Sequence, residues 1–97
     1  MTTERLKLVL QFYRAHFDKQ YPKIGSNQLT NIKSQYREDC LSTNDLISHF
    51  KFMCQEAQLF ADRGQVDKAM RWLGFLQGVL WKSGEFTLDD LKKHSMP

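Results

Sequence analysis

Residues 69–84, AMRWLGFLQGVLWKSG, constrain the fold of this chain more than any other stretch. Between the two tryptophans of this stretch, only Gln77 is polar. A helix that is apolar on every side is normally buried on every side. The pattern therefore predicts that the helix over 65–83 is the central rod of a helical bundle, around which the other helices wrap.

Two glycines, Gly74 and Gly78, interrupt this apolar helix four residues apart. A glycine in a helix interior costs ~1 kcal/mol relative to alanine, and the pair therefore costs ~2 kcal/mol. Small residues at this spacing let another helix backbone approach closely. We expect that neighbour to be the first or third helix of the same chain, so Gly74→Leu is predicted to unfold the protein. A variant that stays folded but becomes monomeric would instead indicate an oligomer contact.

Helical periodicity extends over nearly the whole chain and predicts an all-α bundle of about five helices. The predicted helices span 3–19, 27–39, 43–63, 65–83 and 88–94. Apolar side chains recur at helical spacing on the first and third helices: Leu6, Val9, Leu10, Tyr13 and Phe17, then Leu46, Phe50, Met53, Ala57 and Phe60. These residues are the predicted core.

The second predicted helix, 27–39, is the most polar of the five. Its apolar stripe consists of Leu29, Ile32, Tyr36 and Cys40. We expect it to lie on the surface of the bundle.

The helix ends carry clear local signals. Ser42 and Thr87 each precede an acidic residue by three positions, which predicts that both are N-caps. Gly64 and Gly84 follow apolar helices directly and are predicted to end them in a left-handed conformation.

Length and composition indicate one domain, 1–97, of ordinary globular character. The longest apolar run is about ten residues, whereas a membrane-spanning helix needs ~20. The N-terminus lacks the long apolar segment of a secretory signal. We therefore predict a cytoplasmic protein with no membrane partner, in which Cys40 and Cys54 are reduced core thiols.

Catalytic and metal-binding motifs are not evident in the sequence. His16, His49 and His94 are far apart, and no pair of histidines or cysteines has the close spacing of a zinc site. No phosphate-binding loop, paired carboxylates or HExxH motif is present. We predict a protein that is not an enzyme and has no metal or other cofactor.

The net charge of +3 comes entirely from residues 1–42, which hold seven basic and four acidic side chains. A basic patch is predicted around the loop between the first two helices, formed by Arg14, Lys19, Lys23, Lys33 and Arg37. The second helix also carries polar side chains suited to base contacts: Asn27, Gln28, Asn31, Ser34 and Gln35. Nucleic-acid binding is therefore one alternative function.

A second expectation concerns the aromatic side chains of the apolar helix. A chain of this length has few helices with which to cover Trp72, Phe75 and Trp81 together. Exposed apolar patches mark partner sites, so these three residues are candidate anchors for a protein partner, with Arg71 and Lys82 at the rim. A homo-oligomer that completes the burial is the alternative, and would suit a self-assembling structural protein.

The C-terminal half resembles a family of small proteins encoded by tailed bacteriophages. The resemblance is carried by RWLGFLQG over 71–78, by Phe86-Thr87, by DDLK over 89–92, and by His94 with Pro97. The preceding stretch LISHFKFMCQEA is similar to the same proteins. No activity is associated with this family, so the resemblance implies no functional residues.

The resemblance implies a viral protein that acts in the bacterial cytoplasm. Small phage proteins without catalytic motifs often act by binding other proteins. The expected function is a non-enzymatic accessory protein that binds a host or phage protein and inhibits a host or defence complex.

Overall fold

The computed structural model describes residues 1–30 and 33–96, and Asn31, Ile32 and Pro97 lie outside them. Within the described residues the chain forms four α-helices and two short 3₁₀ turns. The α-helices are α1 (Thr3–Gln20), α2 (Thr43–Asp62), α3 (Val66–Lys82) and α4 (Leu88–His94). The 3₁₀ turns span Lys33–Gln35 and Glu38–Cys40. The all-α prediction is confirmed.

The central helix is α2, and the prediction that 65–83 is the central rod is wrong. Helix α2 packs against both α1 and α3, whereas α1 and α3 contact each other little. Its buried side chains therefore cover a wide arc, from Met53 and Ala57 on one side to Ile47, Lys51, Cys54 and Ala61 on the other. Leu46, Phe50 and Phe60, which were predicted on the inner face, are only partly buried.

Helix α1 is amphipathic in the way its sequence predicts. Leu6, Val9, Leu10, Tyr13 and Phe17 are all buried. Helix α3, in contrast, buries a single stripe consisting of Ala69, Leu73, Leu76 and Leu80. Its apolar composition is thus not matched by burial, and much of its opposite side faces solvent.

Over the described residues 27–30 and 33–39, the predicted helix 27–39 is not formed. Residues 25–30 are irregular, and 3₁₀ turns account for most of 33–40. The backbone N–H of Asn27 donates to the carbonyl oxygen of Ser48, and that of Leu29 donates to Nδ1 of His49. These two contacts tie the start of this stretch to α2. The described residues 25–30 and 33–41, which we call the strap, contain no α-helix. The proposed stripe residue Ile32 lies outside the described residues.

The predicted helix ends are confirmed. The Oγ atom of Ser42 accepts from the N–H of Asp45, and Thr87 forms a complete capping box with Asp90. Gly64 and Gly84 have φ angles of 81° and 79° and follow the last residues of α2 and α3. Each lies in a turn where the next N–H bonds back to a helical carbonyl, which is the Schellman arrangement.

The short helix α4 is held against the N-terminal helix by polar contacts. The guanidinium of Arg5 donates to the carbonyl oxygens of Lys93 and His94. The Tyr13 hydroxyl lies 2.8 Å from Nδ1 of His94, and the Gln77 amide donates to the same hydroxyl. These contacts cover the end of the bundle opposite the strap.

Candidate functional site

The most unusual surface of the molecule is the uncovered side of α3. Phe75 and Trp81 are 55% and 53% exposed, and Met70 is 43% exposed. At about 100° per residue, Phe75 and Trp81 lie about 120° apart on the exposed side of α3, with Gly74 and Gly78 between them, and Met70 lies at the edge of this side. Large apolar side chains exposed together are uncommon on a monomeric protein and mark interaction sites.

A groove of about 890 Å³ runs beside this surface. We call it the α3 groove. It is bounded by α3, by the start of α2, by the end of α1 and by the strap, residues 25–30 and 33–41. Its apolar lining includes Phe17, Tyr21, Leu29, Tyr36, Leu41, Ile47, Phe50, Phe75 and Val79. Both Gly74 and Gly78 line it, and Lys82 lies at its rim. The size falls in the range of ligand and peptide sites.

The two glycines keep this groove open. A Cβ atom added at Gly74 or Gly78 would meet no neighbouring atom within 4 Å. The expectation that α1 or α2 packs closely on them is therefore wrong, because α3 is covered only along its leucine stripe. Gly74→Leu has no close neighbour to displace and is not expected to unfold the chain. The two glycines cost ~2 kcal/mol in helix propensity. No contact within the described residues offsets that cost.

The predicted set of aromatic anchors is divided by the structure. Trp72 is nine residues from Trp81, which places the two side chains on opposite sides of α3. The Trp72 ring packs edge-on against Phe60, with centroids 4.8 Å apart, and the Lys68 ammonium lies 4.3 Å from the Phe60 centroid. Trp72 therefore belongs to the α2–α3 contact. Phe75 and Trp81 remain exposed.

The charged rim residues of the prediction lie on the same uncovered side of α3. Arg71 and Lys82 are exposed, and their positions on the helix place them between the glycines and Phe75. Asp67, in the first turn, is the acidic side chain of this face. The exposed face of α3 thus has Trp81 and Phe75 at its two edges, with the glycines next to Trp81 and the two cations next to Phe75.

A buried lysine fixes the wall of the groove. Lys51 is 1% exposed, and its ammonium donates to the carbonyl oxygens of Tyr21 and Ile24, each at 2.7 Å. It also lies 3.0 Å from the Asp18 carboxylate. A buried ammonium group is stable only when its donors are satisfied. These contacts hold the chain after α1 against α2, where it borders the groove.

The groove wall also contains a neutral histidine. Burial lowers the pKa of His49, which favours the uncharged ring. Its Nδ1 then accepts the N–H of Leu29 at 3.3 Å, and its ring stacks on Phe52. His49 thus serves to anchor the strap to α2.

The predicted basic patch is partly neutralised. The Arg14 guanidinium donates to both carboxylate oxygens of Asp18 and to the side chain of Gln55. Lys33 pairs with Asp45 at 2.9 Å. Lys19, Lys23 and Arg37 are exposed. The nucleic-acid alternative depends on a recognition helix over 27–39. The described residues of that stretch form the irregular strap instead, and Asn31 lies outside the described residues.

The two cysteines differ in environment. Cys54 is fully buried, and burial raises the pKa of its thiol to about 12. Cys40 is exposed, so its predicted place in the core is wrong. Cys40 is the last residue of the 3₁₀ turn Glu38–Cys40 and does not lie on the inner face of an α-helix, which explains the difference.

Neither the groove nor Lys51 is predicted above. The groove depends on the path of the strap, whose apolar spacing predicts a helix that its described residues do not form. A signal for Lys51 existed, since Ile47, Lys51 and Cys54 share one helical stripe. A lysine within an apolar stripe predicts a buried cation with several oxygen partners.

Across residues 1–30 and 33–96, no helix is long and apolar enough to cross a membrane, and no three potential metal ligands lie together. Comparison of the chain with protein-family models, with curated proteins and with solved structures gives no match.

Proposed function

We propose that this chain is a non-enzymatic protein that binds another protein through the α3 groove. The phage context that the sequence resemblance implies makes a host or phage protein the expected partner. Inhibition of a host or defence complex is the expected consequence of binding. The residues assigned to the interface are Phe75, Trp81, Gly74 and Gly78, with Arg71 and Lys82 at its edge.

One observation carries this proposal: the half-exposed Phe75 and the uncovered Gly74 and Gly78 line an apolar groove, and the half-exposed Trp81 lies on the same helix beyond the glycines. Aromatic and arginine side chains contribute most to binding at protein interfaces. A groove along a helix is also the usual receptor for an amphipathic helix of a partner. The two glycines weaken α3. Close packing of a partner backbone on them gives a physical reason for their presence.

The polar groups near the groove support binding in preference to catalysis. Nucleophilic catalysis needs a hydroxyl or thiol activated by a nearby base. His49 is engaged with the backbone of Leu29, and Nε2 of His16 lies 3.2 Å from the Glu85 carboxylate. Both histidines therefore have structural partners. The buried thiol of Cys54, with its raised pKa, is a poor nucleophile.

Affinity capture from bacterial and phage-infected lysates tests this proposal. The wild-type chain is expected to recover one partner in stoichiometric amount. Gly78→Leu, which fills the groove, and Phe75→Ser, which removes an anchor, are expected to lose that partner.

Leu8→Ser is the matched control, because Leu8 is 56% exposed on α1, away from the groove. This control should retain the partner. Equal recovery by wild type and Gly78→Leu, or recovery of chaperones alone across several hosts, would count against the proposal.

A further inference from the structure

The charges on the exposed face of α3 restrict what can lie against that face. The α3 groove beside it is lined by Lys82 and by two carboxylates, Glu38 on the strap and Glu85, which contacts His16 and Gln20. Arg71 and Lys82 lie along one flank, eleven residues apart, which corresponds to about 16 Å along the helix axis. Eleven residues also return to nearly the same side of a helix, about 20° away. The two cations therefore form two points on one line along α3, of which Lys82 lines the α3 groove and Arg71 lies outside its lining.

A second copy of this chain is a poor match for that line. Antiparallel packing is the arrangement in which the partial charges at the helix ends attract. A two-fold axis between antiparallel α3 helices places the same flank of each copy together. With Gly74 opposite Gly78 of the other copy, Arg71 then faces Lys82 of that copy. Like charges in contact at an interface are unfavourable.

An acidic helix is complementary to the exposed face of α3 in shape and charge. Small side chains on such a helix allow its backbone to approach Gly74 and Gly78, where added atoms meet open space. Apolar side chains beside them reach Phe75 and the lining of the α3 groove. Carboxylates eleven residues apart on the partner match the spacing of Arg71 and Lys82.

We propose that the occupant of the α3 groove is an amphipathic helix of a partner protein with carboxylates at positions i and i+11 and small residues between them. This inference rests on the proposed function and adds the chemistry of the partner. Three helical turns are sufficient to span the two cations.

The probe is a synthetic, side-chain-stapled helical peptide with glutamates at i and i+11 and with alanine or serine near i+4 and i+7. Two matched peptides serve as controls. One carries lysines at i and i+11, and the other moves the second glutamate to i+9, on the opposite side of the helix. Binding to the full chain is measured by calorimetry and by the change in tryptophan fluorescence.

At low ionic strength the acidic peptide is expected to bind about tenfold more tightly than the lysine peptide, which loses two ion pairs, and about threefold more tightly than the i+9 peptide, which loses one. In the Arg71→Glu/Lys82→Glu variant, the preference should invert toward the lysine peptide. Lys92→Glu/Lys93→Glu on α4 makes the same change in net charge and should leave the preference unchanged. Gly78→Leu should abolish binding of every peptide.

Three results would overturn the inference: equal affinity for the acidic and basic peptides, no binding of the acidic peptide, or concentration-dependent dimerisation that Gly78→Leu abolishes. Failure of this inference can be distinguished from failure of the proposed function. If a captured partner is lost from Gly78→Leu but retained by Arg71→Glu/Lys82→Glu, the groove binds a protein, but acidic residues of that partner are not what it recognises.

Discussion

The ammonium of Lys51 donates to the carbonyl oxygen of Tyr21 at 2.7 Å and thereby ties the end of α1 to the central helix. The same nitrogen holds Ile24 and pairs with Asp18. A charged group with this degree of burial is satisfied by two backbone oxygens and one carboxylate. It sets the position of the chain that borders the α3 groove.

Lys51→Met should destabilise the protein by about 3 kcal/mol, because it leaves two buried carbonyl oxygens without a donor. The free energy of unfolding in urea measures the effect. Lys7→Met is the control, since Lys7 pairs with Asp62 at the surface and its loss should cost less than about 1 kcal/mol. Equal stability of Lys51→Met and wild type would show that these contacts do not hold the fold.

Acid should weaken this same connection. Burial acts to raise the pKa of Asp18, but hydrogen bonds from Lys51 and Arg14 outweigh it and hold the pKa below its usual value. The folded state therefore binds the Asp18 proton less readily than the unfolded state. The stabilisation is complete above the unfolded pKa, about 3.9, and is lost as the pH falls through the folded value.

The thermal midpoint of the wild type, followed from pH 6 to pH 2, should decrease more steeply than that of Asp18→Asn. Asp45 and Asp90 also have lowered pKa values and contribute to the remaining slope in both proteins. Parallel pH profiles for wild type and Asp18→Asn would contradict the role of Asp18.

The two thiols should differ in reactivity. A disulfide reagent such as dithionitrobenzoate is expected to modify only Cys40 in the native protein, because Cys54 is buried and its pKa is raised to about 12. Denaturant should expose the second thiol, and Cys40→Ser should show no rapid reaction before unfolding. Rapid modification of two thiols in the native wild type would contradict the burial of Cys54.

Two glycine substitutions should have opposite effects on stability. Gly74→Ala adds a methyl group that meets no neighbour and removes a helix-interior glycine, so it should stabilise by about 1 kcal/mol. Gly64→Ala places a side chain at φ 81° and should destabilise by about 1 kcal/mol. Thermal unfolding of both variants measures the difference. Destabilisation by Gly74→Ala would indicate a close neighbour at that position.

Local signals in the sequence predict local structure correctly. The stripe of α1, the caps at Ser42 and Thr87, and the stops at Gly64 and Gly84 each depend on residues within one or two helical turns. Long-range contacts decide the remaining features. Residues 27–30 of the helix predicted over 27–39 are irregular, and Asn27 and Leu29 contact Ser48 and His49 of α2, which lie about twenty residues away in the sequence.

The position of α3 shows the same limit. An apolar sequence predicts burial, but it does not identify which helix the others surround. Helix α2 takes the centre because it carries buried small side chains at Cys54, Ala57 and Ala61, which allow neighbours on two sides. Phe75 and Trp81 are consequently left at the surface, and the candidate site follows from that exposure.

The central claim is that Gly78 keeps open a groove that binds a partner and is not needed for folding. Thermal unfolding and partner capture, measured on one preparation of Gly78→Leu, test it most directly. We predict a thermal midpoint equal to or above that of the wild type together with loss of the partner. An unfolded variant, or a folded one that captures the partner as the wild type does, would contradict the claim.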